Sequence, residues 1–203
     1  MIVRRAGDSA LLVETGETAL AHRLRARLLQ ENLPGLRDLV PGLSTLLIVA
    51  DPIALDLDEL AAAIPAWELP AHETGEAREI VIDVTYDGPD LEAVSEVTGL
   101  AVPEIIERHA AATYDVAFLG FAPGFAYLTG LDPALSVPRL DSPRTRVPAG
   151  SVAIAGPMTV VYPRATPGGW RILGHSDVTL FDPTKRPPAK LAPGDRVRFR
   201  RRT

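Results

Sequence analysis

The chain has 203 residues, 46% of them hydrophobic and 23% charged, with a net charge of −5 and no cysteine. That is the composition of a globular protein able to bury a full core. It excludes disulfides, thiolate metal sites and cysteine nucleophiles, and it lacks the basic footprint of a general nucleic-acid binder. The opening stretch MIVRRAGDSALLVE has no long apolar core of a secretion signal, and no apolar run reaches spanning length, so a cytoplasmic protein without membrane contact is expected.

Taken in order, Ile2–Arg5 and Ala10–Glu14 read as short strands separated by Gly7-Asp8. Leu20, Leu24 and Leu28 recur at helical spacing, with Arg23, Arg25 and Arg27 directed elsewhere. Two further strands are expected at Leu36–Val40 and Thr45–Ala50, broken by Pro41-Gly42. Asp56 with Glu59 forms a capping pair for a helix carrying Leu57, Leu60, Ala61 and Ile64, stopped by Pro65. Strand, strand, helix, strand, strand, helix suggests a small ferredoxin-like α/β domain over residues 1–75. Its tail, 65–75, mixes proline, alanine, His72 and acids as a linker would.

From Ile80 the positions Ile80, Ile82, Val84 and Tyr86 alternate as in a strand. Asp90 is placed to cap a helix ending at Gly99, and Pro103 to open another. Beyond Thr113 short apolar runs at Val152–Ala155, Thr159–Tyr162, Val178–Phe181 and Val197–Phe199 alternate with proline and glycine turns. This predicts an all-β barrel or sandwich, so that residues 76–203 form the second domain and the chain is α+β. Arg196, Arg198 and Arg200 alternate with Val197 and Phe199, as on a last strand with one wet face.

Functional signals concentrate between Phe118 and His175. Arg139 and Arg144 each follow a proline that restricts the backbone, and a guanidinium fork holds a carboxylate or phosphate in two parallel hydrogen bonds. Each either clamps an anion or ties its loop to an acid such as Asp132 or Asp141. Pro148-Ala149-Gly150-Ser151 ahead of an apolar strand offers amides near Gly150 and Ser151 as oxyanion donors, or is an ordinary turn. No nucleophile elbow surrounds Ser151. Gly168-Gly169 permits close approach to Trp170, and Phe121, Phe125, Tyr127 and Trp170 are either pocket wall or core. His22, His72, His109 and His175 show no metal-ligand spacing, so no metal is expected. His109 is expected to be structural, and His175 is a general acid or base or a surface imidazole. No P-loop or dinucleotide fingerprint occurs.

The runs GFAPGFAYLTGL, PRL, SPRTRVPAGSVAIAG, YPRATPGGW and LFDP resemble, in order and spacing, the KipI / allophanate hydrolase subunit 1 family. The likeness extends to Gly7-Asp8 with Ala10-Leu11, Asp51-Pro52, Asp90-Leu91, and His109 with Tyr114 and Val116. It implies a cyclophilin-like β-barrel for the second domain. It also implies a subunit of an ATP-dependent 5-oxoprolinase, with ATP as co-substrate. Its partners would be a KipA-like (allophanate hydrolase subunit 2) protein and a third, LamB/YcsF-like subunit. Phosphorylation of the lactam oxygen would turn a resonance-stabilised amide into an electrophile. From the residues themselves, and not from the likeness, Arg139 or Arg144 is expected to bind the substrate carboxylate while the Gly150 region meets developing charge. A urea-carboxylase-type carboxyltransferase subunit and a KipI-like kinase inhibitor are the alternatives. Met158, Val160 and His175 depart from the family pattern, which bears on the substrate rather than on the fold.

Overall fold

A computed structural model of the protein describes residues 1–70 and 77–202. It divides into two compact units, Met1–Glu76 and Ala77–Thr203.

The first unit contains β1 (Ile2–Arg5), β2 (Ala10–Glu14), α1 (Thr18–Glu31), β3 (Leu36–Pro41), β4 (Thr45–Ala50) and α2 (Leu57–Ala63). The strands form one antiparallel sheet in the order β1-β2-β4-β3. Alternation along β2 and β4 directs Leu11, Val13, Leu46 and Ile48 to one face, where they join Leu24 and Leu28 of α1 and Leu57 and Leu60 of α2. Asp56 begins α2 by accepting from the amides of Asp58 and Glu59 at 2.9 and 3.0 Å. Helix α2 ends at Ala63, and Pro65 lies in a single 3-10 turn, Ile64–Ala66. The expected linker thus starts in an ordered turn, and its part from residue 71, with His72, lies outside the described residues.

The second unit comprises β5 (Glu79–Val84), α3 (Leu91–Thr98), α4 (Val102–Ala111), β6 (Thr113–Leu119), β7 (Ala126–Thr129), β8 (Arg144–Val147), β9 (Ser151–Ala155), β10 (Met158–Val161), β11 (Thr166–Gly168), β12 (Arg171–His175) and β13 (Arg196–Arg201). Seven of these strands form a sheet in the order β12-β9-β10-β7-β6-β13-β5. The pair β13–β5 is parallel; β13–β6, β6–β7, β7–β10, β10–β9 and β9–β12 are antiparallel. The outermost strands approach each other at Thr85 and His175, which exchange two backbone hydrogen bonds of 2.9 Å. The result is a nearly closed barrel. Its interior holds Val84, Tyr114, Val116, Leu128, Val152, Ile154, Leu173, Val197 and Phe199, together with Leu91 and Val94 of α3 and Ile105 and Ile106 of α4.

The opposite face of β9, β10 and β12 is also covered. Ala153, Val160 and Ile172 pack there with Val147 of β8, and with Phe125, Tyr162 and Trp170. The two-stranded ribbon β8–β11 contributes to this second layer, which is why all five residues of β9 are buried.

Two expectations need correcting. The run Val178–Phe181 is not a strand; it forms a single bridge, Phe181 with Ala189, and is held by loop hydrogen bonds. It is apolar because Leu180 is buried in the core and Val178 packs against it, not because it pairs along a sheet. Asp90 stands at the N-cap of α3 but makes no side-chain cap bond, because both carboxylate oxygens are engaged elsewhere. The arginines of β13 lie on the wet face, where Arg200 grips Asp83 with Nε and Nη2 at 2.6 and 2.9 Å. Among the described residues no helix is long and apolar enough to cross a membrane.

Candidate functional site

A cavity of about 510 Å³ opens where β8, the turn after it, β12 and the turn before α3 converge. Arg144 and Arg146 line one wall from β8, Pro148, Ala149 and Ser151 another, and Ile172, Gly174 and His175 a third, with Asp87, Gly88 and Pro89 at the edge. Strand periodicity places both arginines on the same side of β8, since Arg144 and Arg146 are two residues apart.

Arg144 is fixed from below. Its Nη2 donates to Asp90 Oδ1 at 2.6 Å, and Asp90 Oδ2 accepts from the Ile172 backbone N–H, also at 2.6 Å. Asp90 is nearly inaccessible, at 5% exposure. A buried carboxylate is tolerable only when paired and hydrogen-bonded, and here both conditions hold. Arg144 Nη1 is buried without a hydrogen-bond partner. Arg146 is exposed and makes no ion pair among the described residues. At the rim, His175 Nδ1 lies 2.8 Å from Asp87 Oδ1, which leaves Nε2 for proton transfer.

Ser151 lines the cavity and pairs with His175 across β9 and β12. Of the two readings of this turn, an oxyanion donor or an ordinary turn, the Gly150 amide fits the second, since it donates to the Tyr162 carbonyl at 2.7 Å. The glycine is required for packing instead. With φ +80°, a Cβ at this position would lie 2.2 Å from the Ser176 carbonyl oxygen.

The remaining sequence-predicted residues gather in a second place. Ring centroids run from Phe121 to Phe125 at 5.3 Å, Phe125 to Tyr127 at 5.1 Å, and Tyr127 to Trp170 at 6.0 Å. The Arg139 guanidinium carbon lies 5.7 Å from the Trp170 ring centroid. Arg139 makes no ion pair among the described residues, since Asp132 is taken by Arg108 at 2.8 Å. Phe125 and Trp170 are buried, whereas Phe121 is 65% exposed. Phe121 has φ +64°, and across it the Ala122 N–H donates to the Gly120 carbonyl at 2.7 Å. This is a γ-turn of the rare positive-φ kind, a conformation costing about 1–3 kcal/mol for a bulky residue.

Gly168 pairs with Arg144 in the ribbon, and a Cβ on it would meet Tyr162 Oη at 2.4 Å. Gly169 accepts from the Leu140 N–H at 2.7 Å, so the two glycines anchor the ribbon. Tyr162 sits between the two groups. Burial pushes its phenol above the ordinary range, while Arg139 and, more weakly, Arg144 pull it down. Sequence reasoning did not mark Asp87, Asp90, Arg146 or Tyr162 as site residues. Only Arg146 carried a local signal, its alternation with Arg144. Among the described residues no group of three or more potential metal ligands occurs.

The family described as carboxyltransferase domain, subdomain C and D, matches residues 1–191. A protein of Escherichia coli O157:H7 named as the B subunit of 5-oxoprolinase is 44% identical over 181 residues, 87% of this chain and 82% of that one. The protein of the same name from Bacillus subtilis (strain 168) is 35% identical over 224 residues, covering 97% and 91%. The crystal structure of TTHA0988 in space group P212121 matches with a TM-score of 0.82 at 38% identity, covering 100% of this chain and 40% of that one. The chain therefore spans about two fifths of the length of that solved protein.

Proposed function

The chain belongs to the carboxyltransferase-domain family, subdomain C and D, and from that membership we propose that it is the B subunit of an ATP-dependent 5-oxoprolinase. The complex opens the lactam of 5-oxoproline to glutamate and consumes ATP. A KipA-like subunit and a third, LamB/YcsF-like subunit complete it, and this chain has no activity alone. In this reading residues 1–75 are a ferredoxin-like domain and 76–203 a cyclophilin-like barrel. The four-stranded sheet with its helices and the nearly closed seven-stranded sheet support those assignments.

The single observation that carries the substrate assignment is the guanidinium of Arg144. One arm is held by Asp90, and the guanidinium lines, together with the exposed Arg146, a cavity that suits a small molecule. The carboxylate of 5-oxoproline is met by these two positive charges. In the reaction the terminal phosphoryl group of ATP passes to the lactam oxygen. Water then adds at that carbon, the C–N bond breaks as the ring nitrogen takes a proton, and a second water hydrolyses the resulting γ-glutamyl phosphate to glutamate and phosphate. In this reading His175, 2.8 Å from Asp87, moves that proton and Ser151 contacts substrate. The cavity wall has two guanidiniums but no run of glycine amides fit for a triphosphate. ATP is accordingly held by other parts of the assembled enzyme.

Reconstituted complex carrying Arg144→Ala tests the reading through ATP hydrolysis dependent on 5-oxoproline. A lost carboxylate–guanidinium contact is worth about 1.5–3 kcal/mol, so KM should rise roughly ten- to hundredfold. An unchanged KM rejects the clamp. Absence of any stimulation by 5-oxoproline in the wild-type complex rejects the substrate.

A further inference from the structure

We propose that the ledge running from Phe121 to Arg139 is the docking surface for the KipA-like subunit, with Phe121 inserting into an apolar socket and Arg139 meeting a carboxylate. The inference rests on the reading above only in the identity of the partner.

A positive φ at a bulky aromatic is unfavourable, and nothing within the turn compensates by burying the ring, which stays 65% exposed. The turn is nonetheless well determined. The Phe125 N–H donates to the Ala122 carbonyl at 2.9 Å, and the Gly120 N–H to the Phe125 carbonyl at 3.0 Å. Phe121 is thus held outward on a rigid hairpin tip and braced edge-on by buried Phe125. It is absent from the wall of the cavity. At the other end of the ring series Arg139 lies over Trp170, exposed and lacking an acid partner among the described residues. A preorganised exposed aromatic and an unpaired arginine over a buried tryptophan are what the centre of a protein interface requires.

The occupant is another polypeptide of the same enzyme for two reasons. Relatives 44% and 35% identical to this chain are called subunits, and in TTHA0988 the matching part is 40% of a longer chain, so that in that protein further polypeptide accompanies it.

The test titrates purified KipA-like subunit into wild-type protein and into Phe121→Gly, Phe121→Ala and Arg139→Ala, reading the dissociation constant, its salt dependence and the melting temperature of each free variant. Both Phe121 variants should weaken association at least tenfold. Phe121→Gly should melt no lower than wild type, since glycine adopts the turn without strain. Arg139→Ala should weaken binding and flatten its salt dependence. Unaltered affinity in the Phe121 variants, with wild type binding, overturns the surface alone. A raised KM with unaltered affinity for the partner also overturns it and assigns the ledge to substrate. Failure of wild type to bind the KipA-like protein overturns the surface together with the partner assignment.

Discussion

Replacing Asp90 with alanine removes one carboxylate and breaks two contacts at once. The Ile172 N–H, now buried without an acceptor, costs about 1–3 kcal/mol. The charged bond to Arg144 adds about 1.5 kcal/mol, the low end for such bonds, because the arginine side chain is 28% exposed and water restores part of its solvation. The sum is roughly 3 kcal/mol, a fall in Tm of roughly 6–12 °C for a chain of this length. Asp90→Asn keeps the shape and one acceptor, so about half that loss is expected. A double-mutant cycle with Arg144→Ala, followed by urea unfolding, separates the two contacts. If Asp90 holds Arg144, the double variant is more stable than additivity predicts by about 1–2 kcal/mol. Additivity within about 0.5 kcal/mol, or an Asp90→Ala protein within about 1 kcal/mol of wild type, refutes the reasoning.

Gly150→Ala must move the Ser176 backbone, because its Cβ would sit 2.2 Å from that carbonyl oxygen. A loss of at least about 2 kcal/mol, read from the urea midpoint, is expected, and a wild-type midpoint contradicts the close approach. His109 is fully buried between Tyr86 and Thr159, and burial holds its pKa down at about 3. The unfolded chain therefore binds a proton that the folded one does not. Stability is complete above about pH 6.5 and falls by about 1.4 kcal/mol per unit as the pH drops from there towards 3. Unfolding of His109→Gln across pH 7 to 5 should show a shallower slope than wild type by that amount; parallel slopes exclude the linkage. Tyr86→Phe leaves His109 Nδ1 without its donor and should cost about 1–3 kcal/mol, measured by thermal melting.

The local elements were legible where one periodicity governs. Ile2–Arg5, Ala10–Glu14 and Thr45–Ala50 have the same ends by sequence and by structure, because each is a short strand-forming run set off by turn residues. Val178–Phe181 misled for the converse reason: apolar residues there satisfy burial while the backbone is served by a loop. Ribbon β8–β11 was hidden by its prolines and glycines, which read as turn. At the site, Arg144, Ser151 and His175 were legible as chemistry, and the cavity does join them. What fixes them was not. Asp90 is 54 residues from Arg144, and its position ahead of a helix advertised a cap. The aromatic residues read as pocket wall or core because they crowd the same stretch of chain; Phe125 and Trp170 are buried in the second layer, and neither they nor Phe121 and Tyr127 line the cavity.

The junction of Thr85 with His175 has a dynamic consequence. Strand β9 is paired on both sides, by β10 and β12, whereas this seam is held by one bridge and by the Gly88 and Asp90 N–H groups, which donate to the Leu173 and Ile172 carbonyls at 3.0 and 3.2 Å. Local opening of a sheet begins where the fewest hydrogen bonds must break together. The amides of Thr85 and His175 should therefore exchange with solvent sooner than those of β9, and carboxylate occupancy of the adjoining cavity should slow them. Substrate would in that case act as the clasp of the barrel, so that binding is felt along both flanking strands and not at the pocket alone.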